Sequence, residues 1–255
     1  MTVELPKTAL VTGAARRIGA EIVRDLVAHG YGVAIHANSS GDEAEELAAE
    51  LADAGGRVTV IQGDLTDPEF CGRLVAESVA ALGPLTLLVN NASMFEEDSL
   101  ADFDAGTFDQ HFAIHVKAPS ILVRNFAAEL PADCSGLVVN IIDQRVWAPN
   151  PRFYTYTLSK AAMWMATRTM AQALAPRVRV NGIGPGPTIR SERQSDDDFA
   201  RQIDGLILKA GPSFEEFGRT IRFLFDTPSI TGQMIALDGG QHLAWQTPDV
   251  AEIVE

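Results

Sequence analysis

Four apolar runs set the frame of this chain. Residues 8–12, 32–36, 57–62 and 85–89 each end in small or polar residues, and the first three pass into stretches with helical spacing of apolar positions. Strands that alternate with helices predict a parallel sheet covered on both faces, a three-layer α/β/α arrangement. A fifth run, residues 137–142, looks like another buried strand. Residues 161–174 are helix formers, and residues 230–237 read as a last strand. Ligands of such sheets bind beyond the carboxyl ends of the strands. The polar clusters of this chain fall at those ends.

The first turn reads Gly13-Ala-Ala-Arg-Arg-Ile-Gly19 and opens a helical run over residues 20–29. A tight turn of small residues lets backbone N–H groups and a helix N-terminus approach a phosphate. The spacing is not G-x-G-x-x-G, because Ala14 and Ala15 replace glycine, and an ordinary βα turn is the alternative. The second strand ends in Ala37-Asn38-Ser39-Ser40, where the dinucleotide fingerprint expects a carboxylate for the ribose 2′-hydroxyl. No carboxylate stands there to repel a 2′-phosphate. Ser39 and Ser40 can donate to one, and Arg16 and Arg17 supply positive charge, so the residues favour NADP over NAD. Otherwise the arginines are solvated and Ser40 or Asp42 caps a helix over 43–54. Asp64, after the third strand, either accepts from an adenine amino group or caps the helix over 68–82.

Residues 143–160 carry the candidate chemistry. Tyr156 and Lys160 lie four apart and share one face of a helix. An ammonium beside a phenol favours phenolate and lowers the tyrosine pKa from about 10, which suits proton transfer near neutral pH. Asp143, at the end of the fifth strand, adds a second acidic group. Tyr-x-x-x-Lys alone is a weak signal, since many helices carry it on a solvated face.

Composition excludes several classes. Hydrophobic residues make up 46% of the 255 residues, which argues against disorder. No apolar run approaches the ~20 residues of a membrane span. The N-terminus lacks a charged-then-apolar signal, which points to a cytoplasmic protein. A net charge of −14 disfavours a nucleic-acid partner. Cys71 and Cys134 form no C-x-x-C pair, so neither a disulfide framework nor a thiolate metal site is expected. His111 and His115 have i, i+4 spacing, but no further ligand is near in sequence, and a structural role is expected rather than a metal. Asp196-Asp-Asp198 precedes a helical run over 199–208 and reads as a cap.

Taken together, Thr12-Gly13-Ala-Ala-Arg-Arg-Ile-Gly19, Asn90-Asn-Ala-Ser93, Tyr156-Thr-Leu-Ser-Lys160 and Gly184-Pro-Gly-Pro-Thr188 resemble the short-chain dehydrogenase/reductase family over residues 8–242. The resemblance implies one Rossmann-type, doubly wound domain over residues 1–255, with a mobile substrate lid around 188–212. It implies a nicotinamide cofactor lined by Gly13, Arg16, Arg17, Ile18, Asn38, Ser39, Ser40, Asp64, Leu65, Asn91, Ala92, Ser93, Tyr156, Lys160, Pro185, Gly186 and Thr188. Tyr156 would be the acid/base, and Lys160 would lower its pKa and hold the nicotinamide ribose. The helix over 161–174 would pair subunits into a homo-oligomer, dimer or tetramer, and the tail over 241–255 either reaches a neighbour's site or frays.

Two positions depart from the family pattern. Asp143 stands where most members have serine, and His115 where most have asparagine; an imidazole there puts the family's proton-relay water in doubt. The aspartate, the 13–19 turn and Asn91-Ala-Ser-Met-Phe95 resemble the pteridine reductase and dihydromonapterin reductase branch. That likeness implies a pterin lying beside Ser93 and stacked on Phe95, with Asp143 and Tyr156 giving protons to ring nitrogens. Phe95 as a core or loop aromatic is the alternative. The reading is an NADPH-dependent reductase of a dihydropterin. Its rivals are a carbonyl reductase of the same fold acting on a ketone, and a non-catalytic nucleotide-sensing protein.

Overall fold

The alternating pattern folds into one sheet. The computed structural model describes residues 7–190 and 193–247. Strands β1 (Thr8–Val11), β2 (Gly32–Ala37), β3 (Val58–Gln62), β4 (Leu87–Asn90), β5 (Gly136–Ile141), β6 (Val178–Pro185) and β7 (Met234–Leu237) lie in the order β3-β2-β1-β4-β5-β6-β7. Every pairing is parallel. The order reverses between β1 and β4, which opens the crevice where ligands of such sheets bind.

Helices cover both faces: α1 (Arg17–Ala28), α2 (Gly41–Asp53), α3 (Pro68–Leu82), α4 (Ala105–Phe112), α5 (Ala118–Glu129), α6 (Tyr154–Leu174), α7 (Asp196–Asp204) and α8 (Phe214–Asp226). A π-helical turn, Ala113–Lys117, joins α4 to α5. Neighbouring residues of each strand feed opposite cores. Ala9 and Val11 pack with Ile22, Leu47 and Phe217 from α1, α2 and α8; Leu10 packs with Leu74, Leu122 and Ala171 from α3, α5 and α6. Because both faces of the inner strands β2, β1, β4 and β5 are buried, these read as mainly apolar runs rather than as alternating ones.

The caps differ from two expectations. Asp67, not Asp64, caps α3, accepting from the Glu69 N–H at 2.9 Å, while Asp64 accepts from the Thr66 N–H at 2.8 Å inside the turn. Ser40 occupies the N-cap of α2, but its side chain makes no capping bond. Ser195 caps α7 through the Asp198 N–H at 3.1 Å, and Asp196 to Asp198 fill the first turn, where negative charge is favourable. The helix begun by the catalytic candidates starts at Tyr154, earlier than its run of helix formers, so Tyr156 and Lys160 both lie on it. Among the described residues no helix is long and apolar enough to cross a membrane.

Candidate active site

The turn after β1 is pinned from three sides. Gly13 has φ of +59°, and a Cβ there would meet Ala92 Cα at 2.7 Å; one on Gly19 would meet the Gly13 carbonyl oxygen at 2.3 Å. The turn therefore lies flat against the loop after β4. The Asn91 side-chain amide donates to the Thr12 and Gly13 carbonyls at 3.0 and 2.8 Å, and Thr12 Oγ1 accepts from the N–H groups of Asn91 and Ala92. The third tie is His36 on β2. Its Nδ1 accepts from the Gly13 N–H at 3.2 Å, so the proton sits on Nε2, which donates to the Gly63 carbonyl at 3.0 Å. Burial pushes the His36 pKa down to about 4.

This turn forms one end of a cleft of about 1120 Å³ along the carboxyl ends of the strands. All of the residues predicted to line the cofactor or the substrate stand on its walls, from Ser39 and Ser40 at one end to Phe95 and Asp143 at the other. A flat glycine turn without room for a Cβ, and serine hydroxyls free of capping duty, fit the phosphates of a dinucleotide. Arg16 is exposed and 3.4 Å from Glu43. Asn91 is bonded within the turn itself, so its amide acts by holding the phosphate end in shape.

Tyr156 is buried, and its hydroxyl donates to Asp143 Oδ2 at 2.9 Å. Asp143 Oδ1 accepts from the Arg145 N–H at 2.8 Å. Lys160 Nζ donates to the Ile141 carbonyl at 2.9 Å and lies 5.6 Å from the Tyr156 ring centre. This geometry reverses the expected sign for the tyrosine. Burial and the Asp143 carboxylate hold Tyr156 well above its ordinary 10, and the ammonium is turned to a backbone carbonyl instead of the phenol. Burial also raises Asp143, although Arg145 and Lys160 oppose it. The same burial pushes Lys160 down to about 8.

Two polar chains tie the loop after β4 to α6. His115 Nε2 accepts from the Met94 N–H at 3.2 Å, so its proton is on Nδ1, which donates to Ser159 Oγ at 2.7 Å; Ser159 in turn donates to the Tyr156 carbonyl. The Ser93 hydroxyl donates to the same Nε2 at 2.9 Å. Burial, Lys160 and His111 keep His115 neutral, well below its ordinary 6.5. In the second chain the Thr155 hydroxyl donates to Asp98, whose carboxylate also accepts the Thr155 N–H, and His111 Nδ1 donates to Thr155 Oγ1 at 2.7 Å. Both imidazoles are thus engaged in bonds to hydroxyls. Among the described residues no metal-binding group of His, Cys, Asp or Glu assembles.

Phe95 lies flat on Phe153, 4.2 Å between centres, and edge-on to Tyr156 at 4.7 Å. One face is therefore taken, and the Arg145 guanidinium carbon lies 5.4 Å from the centre of the same ring. Within the expected lid, residues 191–192 lie outside the described residues, and α7 buries no side chain. Arg193 reaches back to the Phe95 carbonyl at 3.1 Å and pairs with Glu96. Residues 248–255 of the tail are likewise outside the described set, while His242 packs near Trp147 at 5.1 Å.

His36, Asp98, Arg145 and Thr155 escaped the sequence reading as site residues. The β2 run offered no hint of a histidine folded back on the first turn, since that contact spans 23 residues. Arg145, two positions after Asp143, is legible locally as a backbone partner for that carboxylate, and its N–H does donate to Oδ1, but nothing local places its guanidinium on the cleft wall. β6 and α8 were also missed. Ser213 and Glu216 form a capping box, and Phe217, Ile221 and Leu224 follow at helical spacing, which would have found α8.

A family profile described as short chain dehydrogenase matches residues 7–199. The crystal structure of FolM alternative dihydrofolate reductase 1 from Brucella canis, complexed with NADP, superposes with a TM-score of 0.93 at 56% identity, over 96% of this chain and 97% of that one. The Brucella suis protein of the same name, also with NADP, gives the same score and identity over 98% and 100%. The 3-oxoacyl-(acyl-carrier-protein) reductase FabG of Staphylococcus epidermidis is 28% identical over 93% of this chain and 99% of that protein. With the turn, the Tyr156–Lys160 pair and the sheet order already in place, these matches establish that the chain belongs to the short chain dehydrogenase family.

Proposed function

We propose that this protein is an NADPH-dependent reductase of a dihydropterin, with Tyr156 and Asp143 as proton donors. The observation that carries this reading is the 2.9 Å bond from the Tyr156 hydroxyl to the Asp143 carboxylate at the cleft wall. A serine at position 143 could only orient a carbonyl, whereas a carboxyl can also store a proton. The likeness to two FolM alternative dihydrofolate reductases, each with NADP, supports both the substrate class and the cofactor. The exposed Leu158 and Met165 of α6 support pairing with a second copy.

Bound NADPH would supply a hydride to a ring carbon of the substrate. The chain's residues hold both partners and move the proton. Gly13 and its neighbours would take the pyrophosphate, Arg16, Arg17, Ser39 and Ser40 the 2′-phosphate, and Lys160 the nicotinamide ribose. While Asp143 is ionised, the phenol points its proton at the carboxylate and is held in reserve. Burial keeps the carboxyl protonated to higher pH than an ordinary aspartate. Once protonated, its O–H donates to the phenol oxygen, and the phenol proton is free to turn to the ring nitrogen. As that proton leaves Tyr156, the carboxyl proton moves onto the phenol oxygen, so no phenolate persists in a buried setting. General acid catalysis of this kind contributes about 10²–10⁴-fold.

The test is NADPH oxidation with dihydropterins and ketones, using wild type and Asp143→Asn. Dihydropterin turnover by the wild type and a loss of about ten-fold or more in Asp143→Asn, at unchanged melting temperature, fit the proposal. Unchanged turnover with lowered melting temperature would reduce Asp143 to a loop anchor. The similarity to a 3-oxoacyl reductase favours a second reading, reduction of a ketone; under it ketones are consumed and pterins spared. Consumption of neither leaves the nucleotide-sensing alternative.

A further inference from the structure

Arg145 is a cation beside the proton-donating pair whose guanidinium makes no hydrogen bond to either member. It lies on a short 3₁₀ turn, Gln144–Val146, two residues past Asp143. Its side chain is only 18% exposed. The guanidinium carbon sits 4.7 Å from the ring centre of Phe153 and 5.4 Å from that of Phe95. Nη1 is buried and, among the described residues, bonded to nothing. The nearest acidic atom, Asp143 Oδ1, is 4.0 Å from Nε, beyond hydrogen-bond distance.

A guanidinium carries five N–H donors and needs lone pairs around it. Two phenyl faces attract the charge but offer no acceptor. Arg179 shows how this chain otherwise treats a buried arginine: it donates to the carbonyls of Thr227, Ile230 and Phe225. Arg145 has the burial without the acceptors, and it stands on the wall of the cleft. Nη1 itself is sealed from the cleft, so the accessible remainder of the guanidinium, which also makes no hydrogen bond among the described residues, is what can donate to a cleft ligand. A phosphate is a poor candidate, because Asp143 would face a second anion. A neutral oxo group fits, since it supplies lone pairs without a full charge.

Building on the pterin reading above, we propose that Arg145 selects the substrate by donating to the 4-oxo oxygen of its pyrimidinone ring. In a 7,8-dihydropterin the bond to be reduced is C6=N5, and N5 is the nitrogen that takes the proton. The 4-oxo oxygen lies peri to N5. A donor beside Asp143 is therefore beside the one oxygen that neighbours the protonated nitrogen. This makes Arg145 a specificity residue: it reads the oxo group while Tyr156 serves N5.

The experiment compares full-length wild type, Arg145→Met and Arg145→Lys on 7,8-dihydropterin and 2,4-diamino-7,8-dihydropteridine, with NADPH oxidation as readout. The second compound puts an amino donor where the oxo acceptor stands. The wild type should favour the oxo compound by about ten-fold or more in kcat/KM, the weight of a bond to a charged donor. Arg145→Met should bring the two within about three-fold, chiefly through KM for the oxo compound, and Arg145→Lys should fall between. Melting of the NADPH-bound Arg145→Met protein should fall by no more than the small weight of its two cation–π contacts, because the substitution breaks no hydrogen bond of the chain. An unchanged ratio in the variants overturns the inference. So does an equal loss on both compounds accompanied by a lowered melting temperature, which is the mark of a structural arginine. Should Arg145→Met fail to fold, the ratio in Arg145→Lys decides. Wild type that reduces ketones and no pteridine overturns the pterin reading itself, whereas wild-type turnover with an unmoved ratio overturns only the role of Arg145.

Discussion

A phenol that donates to a carboxylate is in the wrong state to protonate a substrate until the carboxylate has a proton of its own. This makes Tyr156 and Asp143 one unit, and it separates Tyr156 from the other phenol of the same helix. Tyr154 packs near Phe103 at 5.9 Å and does not line the cleft. Tyr156→Phe should abolish turnover while leaving NADPH affinity nearly intact, and Tyr154→Phe should be mild in both respects. Steady-state rates and calorimetric titration with NADPH check this; an active Tyr156→Phe beside a dead Tyr154→Phe would reverse the assignment. The identity of both residues could be read from the chain, because Tyr-x-x-x-Lys is local. The direction of the tyrosine's pKa could not. That depends on where the lysine's ammonium points, and it points at Ile141, a partner nineteen residues away on a neighbouring strand.

At the scale of elements, the expected cofactor preference rests on the β1–α1 turn and the end of β2. No carboxylate stands between Ala37 and Ser40, and Ser40 spends nothing on capping α2. NADPH should bind at least ten-fold more tightly than NADH, about 1.4 kcal/mol. Ala37→Asp should invert that order, and equal affinities by calorimetry would refute it. Strands β1, β2, β4 and β5 were legible because both-face burial makes each a mainly apolar run, and β3, half-buried at the sheet edge, was legible from its β-branched Val, Thr and Ile residues. β6 was not, since Arg179, Asn181 and two glycines interrupt its sequence; Arg179 and Asn181 are satisfied there by the Ile230 carbonyl, a partner about fifty residues away. Most predicted cofactor and substrate residues lie at strand ends, which is why they gathered in one cleft. The ties that shape that cleft, His36 to Gly13 and His111 to Thr155, cross between elements and leave no periodic trace.

For the molecule as a whole, His36 links acid to stability. Its folded pKa is about 4, against an ordinary 6.5. As pH falls from about 6.5, the unfolded chain takes up a proton that the folded chain refuses, since burial disfavours the charged imidazole. The stabilisation is complete above about 6.5 and is lost as pH drops towards 4, on the order of 3 kcal/mol in full. His115, also held below its ordinary value, acts in the same direction. Urea melts at pH 7 and pH 4.5 should show a smaller loss in His36→Gln, which keeps a donor and an acceptor but cannot be charged; an identical loss would exonerate the histidine. The two polar chains have a different kind of consequence. Ser93 to Ser159 through His115, and Asp98 to Thr155, bind the loop after β4 and helix α6 into one mechanical piece. Substitutions that retune the loop for a new substrate will not add to those on the helix, because each resets the position of the other. Evolution of this enzyme toward another substrate must therefore move in paired steps, and single changes on either side are the ones selection will discard.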